Sequence, residues 1–172
     1  MTNYFEFFGL PPAPRVDKAA LKRTFYANSK RFHPDFHTLA DGATQEDALE
    51  RSTINNQGYK ILTDDDKRLK HLLELRGVLG PEGSNQLPQS FLMEMMDLNE
   101  AVMEQKMAPD PAGEARVTAM LGDLETSIRA AVDQLLHTYD DATATPEDLE
   151  KLKTYYLKKR YLRRLRQDTP EV

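Results

Sequence analysis

The sequence predicts an all-α protein built in two parts, and three observations predict it. Apolar residues recur at helical spacing in one segment after another, and no segment alternates apolar with polar residues over the length of a strand. Proline, aspartate and threonine stand where such segments start and stop. The stretch GVLGPEGSNQLP, residues 77–88, holds three glycines, two prolines, a serine and an asparagine, the composition of a linker. Residues 1–76 therefore read as one domain, 77–88 as a linker and 89–172 as a C-terminal three-helix bundle. With 40% of its residues hydrophobic and 30% charged, a chain of 172 residues can fill two small cores.

The elements follow in order. Asn3 to Phe8 is a short aromatic segment, broken off by Pro11, Pro12 and Pro14. Asp17 caps a helix with Leu21, Phe25 and Phe32 on one face, and Pro34 ends it near Phe32, because the residue before a proline is driven out of the α region. A loop runs from His33 to about Gly42. Thr44 and Asp47 mark the start of the next helix, which carries Ile54, Tyr59 and Ile61 to Leu62. A further helix begins after Thr63, with Asp64, Asp65 and Asp66 at its positive end, and closes at Gly77. Past the linker, prolines bound a helix from Gln89 to Met107. A long helix spans Ala112 to Tyr139, and after a DDATAT turn Pro146 opens a last one to Gln167. Short connections make these three antiparallel neighbours.

Composition excludes several functions. Without cysteine there is no disulfide, thiolate zinc site, cysteine nucleophile or all-cysteine iron–sulfur ligation. The N-terminus MTNYFEFFGL lacks the basic and apolar regions of a signal peptide. Nothing approaches the ~18 apolar residues of a membrane span, so a cytoplasmic protein with no membrane partner is expected. No Gly-rich phosphate loop, nucleophile–base pair or paired-carboxylate motif is present, so no enzymatic activity, cofactor or metal is expected. Charge is segregated: residues 81–141 hold three Lys/Arg against twelve Asp/Glu, residues 1–80 twelve against eleven, and residues 142–172 eight against five. With a net charge of −5, that acidic centre argues against nucleic acid and for a basic or polar protein partner.

The informative residues are His33, Pro34 and Asp35, between a basic helix and a helix ending INNQGYKILTDDDKR. Pro34 fixes one dihedral, so His33 and Asp35 stand on a loop whose freedom is reduced before any partner arrives. Upstream, Lys22, Tyr26 and Lys30 at i, i+4 and i+8 line one helix face, with Arg23 and Arg31 beside them. Such a face steers an acidic partner. Together with YFEFFGL at the start and the segment Thr63 to Arg68, these residues resemble a J-domain over residues 3–76, a helical hairpin with an HPD loop. The resemblance implies docking on a DnaK/HscA-type ATPase chaperone through His33, Pro34, Asp35, Lys22, Arg23, Tyr26, Lys30 and Arg31. Read without it, His33 and Asp35 could be ordinary helix-end and turn residues, His33, Asp35 and His37 a metal site, and the basic helix a solvated face. Two positions depart from the family pattern: Phe36 stands where lysine usually follows the triad, and Asn28 where the helix usually turns an apolar residue to the core.

Two further segments, KRLKHLLELRG at 67–77 and FLMEMMDLNEAV at 91–102, resemble the HscB-type co-chaperones of iron–sulfur cluster assembly. The resemblance implies that the bundle binds the IscU-type scaffold through Leu92, Met93, Met96, Asp97, Glu100, Glu104 and Tyr156; an adaptor that is a monomer is expected. Positions 93, 96, 97, 100 and 104 step by three or four and share one helical face. By pattern alone, Leu and Met at this spacing also suit a bundle core, drawing on Phe91, Leu92, Met95, Leu98, Val102 and Met103. A general J-domain co-chaperone with another client is the alternative. The last helix, KLKTYYLKKRYLRRLR, interleaves cations with Tyr155, Tyr156 and Tyr161 as nucleic-acid surfaces do, but its leucines suit a bundle and acidic neighbours can balance its charge.

Overall fold

The computed structural model describes residues 1–38, 41–81 and 83–169, and the described residues are helical, with no strand. They form two compact units: Met1–Arg76 with Tyr139–Ala144, and Gly77–Thr138 with Thr145–Val172.

Unit 1 contains α1 (Tyr4–Phe7), α2 (Lys18–Arg31), a 3-10 turn (Pro34–Phe36), α3 (Gly42–Thr63) and α4 (Asp65–Leu75). Asp17 caps α2, its carboxylate accepting the Ala19 and Ala20 N–H groups at 2.9 and 3.0 Å. Asp64 caps α4 in the same way. The start of α3 differs from expectation. Asp41 is its cap, accepting from the Thr44 N–H at 2.8 Å, while Asp47 lies inside the helix and pairs with Arg51 one turn on. Of the expected loop from His33 to Gly42, residues 39 and 40 lie outside the described residues. Gly77 closes α4 with φ +68°, a left-handed conformation that glycine adopts without strain.

Helices α2 and α3 form an antiparallel hairpin, because their contacts run in opposite directions along the two helices. Phe25 stacks on Tyr59 at 4.1 Å, Asn55 donates to Ser29 Oγ at 3.1 Å, and Arg51 lies over Phe32 at 5.7 Å. The core beneath joins Phe5, Phe8, Leu21, Leu62 and Leu72. Gly58 lets α1 approach α3, since a Cβ there would meet Phe8 Cε2 and Tyr4 Cδ1 at 2.8 Å. Buried Arg68 fastens three segments: its guanidinium donates to Pro14 O (2.8 Å), Leu62 O (2.6 Å) and the Asp65 carboxylate (2.6 Å). Tyr139 packs on this core, its hydroxyl donates to Asp141, and Asp141 pairs with Arg76. Residues 139–144, which the sequence reading keeps in the bundle, thus belong to unit 1.

His71 sits against Tyr4 and Phe5 and accepts the Tyr4 N–H on Nε2 at 3.2 Å, so its proton is on Nδ1. Burial holds its pKa below the ordinary histidine value. The unfolded chain therefore binds a proton near pH 6.5 that the folded chain refuses, and stability falls as pH drops through that value toward the folded pKa. Thermal melts of wild type and His71→Gln across this range are expected to converge on acidification, because the glutamine has no proton to gain.

Unit 2 contains α5 (Gln89–Glu94), α6 (Met96–Met107), α7 (Pro111–Ala130), α8 (Asp133–Thr138) and α9 (Pro146–Asp168). α6, α7 and α9 pack on one another as a three-helix bundle around Leu98, Val102, Val117, Leu121, Leu152 and Leu162. The helix expected over 89–107 is broken at Met95, whose carbonyl accepts both the Asn99 N–H (2.9 Å) and the Asn99 side chain (2.8 Å). The helix expected over 112–139 breaks at Ala131–Val132, where the Val132 N–H tightens onto Arg129 O. It stops at Thr138, because Tyr139 leaves for the other core. Thr145 and Asp148 form a reciprocal capping box behind Pro146, so α9 starts where expected.

Candidate binding faces

In unit 1, α2 ends at Arg31 and the chain turns at once into the 3-10 turn, with the Phe36 N–H bonded to His33 O at 3.0 Å. The side chains of His33 and Asp35 are 53% and 82% exposed. His33 Nδ1 accepts the Asp35 N–H at 3.2 Å and lies 3.6 Å from the Asp35 carboxylate, so the two side chains of the turn are held together. The Phe36 ring, exposed, meets the imidazole edge-on at 6.1 Å. His37 turns back to bond Arg31 O at 3.0 Å, away from its neighbours' outward course. Among the described residues no cluster of three or more His, Cys, Asp or Glu could hold a metal ion.

Lys22, Arg23, Tyr26, Lys30 and Arg31 are all exposed on α2. No ion pair to a described carboxylate occupies Lys22, Arg23, Lys30 or Arg31, whereas Lys18 pairs with Asp65 at 3.2 Å. Lys22 and Arg31 instead lie over the rings of Tyr26 and Phe32 at 6.0 and 5.3 Å. A row of cations outside any close ion pair among the described residues, beside an exposed carboxylate and imidazole, is a surface complementary to an acidic one. Asn28 is half-buried.

In unit 2, α5 and α6 present Leu92 (43% exposed), Met93 (64%) and Met96 (65%) beside exposed Asp97, Glu100 and Glu104. Phe91, Met95, Leu98 and Val102 take the core instead. Tyr156 corrects the expectation: it is 6% exposed and packed in the bundle, with Arg160 over its ring, so it offers little to a partner. Met103 and Met107, 58% and 81% exposed, extend the strip and were not among the expected binding residues. Their spacing from Met96, seven and eleven residues, carries the signal, since both steps return to one helical face. Five exposed large apolar side chains along two consecutive short helices exceed what scattered surface residues require.

A turn with exposed His33 and Asp35 between the two helices of a hairpin, in a chain whose second unit is a three-helix bundle, defines a J-domain protein. Residues 87–169 match the family described as the HSCB C-terminal oligomerisation domain. The chain is 36% identical over 135 residues to the co-chaperone protein HscB homolog of Pseudoalteromonas atlantica, covering 78% of this chain and 74% of that one. It is 32% identical over 155 residues to the homolog of Shewanella amazonensis, covering 88% and 89%. Its fold is similar to the crystal structure of human co-chaperone protein HscB (TM-score 0.73, 24% identity, 97% of this chain and 80% of that one). It is also similar to chaperone HscB from Vibrio cholerae (TM-score 0.62, 29% identity, 96% and 98%). The chain belongs to the HscB co-chaperone family. Among the described residues no helix is long and apolar enough to cross a membrane.

Proposed function

We propose that this chain stimulates ATP hydrolysis by a DnaK/HscA-type chaperone through residues 33–35 and the α2 face, and delivers an IscU-type iron–sulfur scaffold through the α5–α6 strip. The observation that carries this reading is the separation of chemistries: a preorganised turn with exposed cations on one unit, and an exposed methionine and carboxylate strip on the other. The chaperone holds the ATP, and this chain, a cytoplasmic monomer in this reading, contributes contacts alone. Methionines repack against imperfectly matched surfaces, which suits a client surface, and Asp97, Glu100 and Glu104 favour a basic one. Joining both faces in one chain raises the client's effective concentration at the chaperone.

Replacing Met93, Met96 and Glu100 together with alanine is expected to weaken scaffold binding by about tenfold or more, roughly 1.4 kcal/mol. Stimulation of the chaperone in the absence of scaffold stays unchanged. Isothermal titration and an ATPase assay on the same preparation check both halves, and sedimentation velocity checks the monomer.

A further inference from the structure

Unit 2 holds a cavity that meets the α5–α6 strip at Leu92 and otherwise lies outside both faces. The linker end, α5 and α9 line a half-open cavity of about 410 Å3, with Leu87, Leu92, Leu157 and Tyr161 on its apolar side and Arg160, Arg164 and three amide residues on its polar side. The volume is that of a small-ligand or side-chain site. The wall is preset, because the Tyr161 hydroxyl exchanges hydrogen bonds with the Asn99 amide at 2.8 and 3.1 Å. Arg160 and Arg164 stand one turn apart on α9, close enough for both guanidiniums to meet a single ligand group. Arg160 is half-buried over the Tyr156 ring, and no ion pair to a described carboxylate occupies either arginine. Elsewhere on α9, Lys151 pairs with Glu147 at 2.8 Å, Lys153 with Glu150 at 3.6 Å and Arg166 with Glu125 at 3.0 Å, while Lys158 lies over the Phe91 ring at 4.9 Å. A partly desolvated guanidinium beside a cavity of mixed polar and apolar lining lacks its counter-charge.

We infer that this cavity receives a segment of a protein partner that pairs an apolar side chain with a carboxylate. The apolar group lies against Leu87, Leu157 and Tyr161, and the carboxylate is shared by Arg160 and Arg164, whose planar forks match it. A chain of net charge −5 repels a polyanion, whereas a single carboxylate needs only these two arginines. Leu92 lines the cavity and also begins the α5–α6 strip, so one partner spans both. In that respect the inference rests on the client reading above. It adds an acidic, apolar anchor to a partner surface otherwise matched to methionines and carboxylates.

The test is titration of the full-length chain with an IscU-type scaffold at low and high salt. The double variant Arg160→Gln/Arg164→Gln is expected to lose about tenfold in affinity and to flatten the salt dependence. Arg164→Gln alone, at an exposed position that leaves the bundle intact, is expected to lose part of that affinity. Unchanged affinity in the double variant, beside weakened binding by the Met93, Met96 and Glu100 triple variant, overturns the cavity assignment and leaves the client face standing. Unchanged affinity in both overturns both. Unchanged scaffold affinity with loss of binding to a labelled single-stranded oligonucleotide assigns the arginines to nucleic acid and overturns the acidic segment.

Discussion

Replacing Asp35 with asparagine is expected to abolish stimulation of the chaperone's ATPase while leaving scaffold affinity and thermal stability unchanged. The substitution keeps the shape of the turn. The Asp35 N–H still bonds His33 Nδ1, and the side chain, 82% exposed, supports nothing inside the fold. What it removes is the one full negative charge of the triad. Losing one partner of a charge-assisted contact that becomes desolvated on docking costs about 2–5 kcal/mol, enough to reduce stimulation roughly thirtyfold or more at fixed concentration. A variant that removes the α2 charges, Lys22→Gln with Lys30→Gln, acts differently. It is expected to slow association and lower salt sensitivity, with a smaller loss at saturating concentration. Stimulation by the asparagine variant equal to wild type would show that the turn is not the docking element.

Arg68→Ala is expected to produce the largest loss of stability in the chain, about 3–5 kcal/mol in unit 1. The side chain is buried, and its removal strands the Pro14 and Leu62 carbonyl oxygens that accept from it at 2.8 and 2.6 Å. Asp65 retains its bond to Lys18, so the cost falls on the carbonyls and the vacated volume rather than on an orphaned carboxylate. For a domain of this size such a loss lowers the melting temperature by roughly 15 °C or more. Arg68→Lys keeps the charge but not the fork, and is expected to fall between. Because Arg68 ties the entry of α2 to the α3–α4 junction, chaperone stimulation falls with it near the new melting temperature. Differential scanning calorimetry resolves whether unit 2, which has its own core, melts unaffected.

The parts of the fold legible in the sequence are those set by neighbouring residues. Asp17, Asp64 and Thr145 each cap through hydrogen bonds to N–H groups two or three positions away, and such local bonds leave a local signature. Asp41 carries no such mark, because Gly42 and Ala43 after it suit a loop and Thr44 is a competing cap. The break at Met95 has no local mark in the sequence, and the Asn99 side chain that bonds the Met95 carbonyl is itself bonded to Tyr161, sixty-two residues away. The transfer of Tyr139–Ala144 to unit 1 likewise depends on Arg76 pairing with Asp141, a contact no window of sequence contains.

For the binding faces, the same distinction holds. Proline chemistry around Pro34 foretold an outward turn, and the i, i+4, i+8 spacing placed Lys22, Tyr26 and Lys30 together on the surface. On α5 and α6 periodicity alone was ambiguous, because apolar residues occupy two sides. Phe91, Met95, Leu98 and Val102 face the core, while Met93, Met96, Met103 and Met107 face solvent. Tyr156 fell on the wrong side of that division, since α9 buries three consecutive residues, Tyr155, Tyr156 and Leu157, between its neighbours.

Two separable surfaces on one chain are best examined by residue-resolved amide exchange, with a DnaK-type chaperone in its ATP state and, separately, with an IscU-type scaffold. Slowed exchange over residues 22–38 with the chaperone alone, and over 92–107 with the scaffold alone, is the expected pattern. A single stretch protected by both proteins, or residues 33–36 exchanging at the same rate whether the chaperone is present or absent, would contradict it.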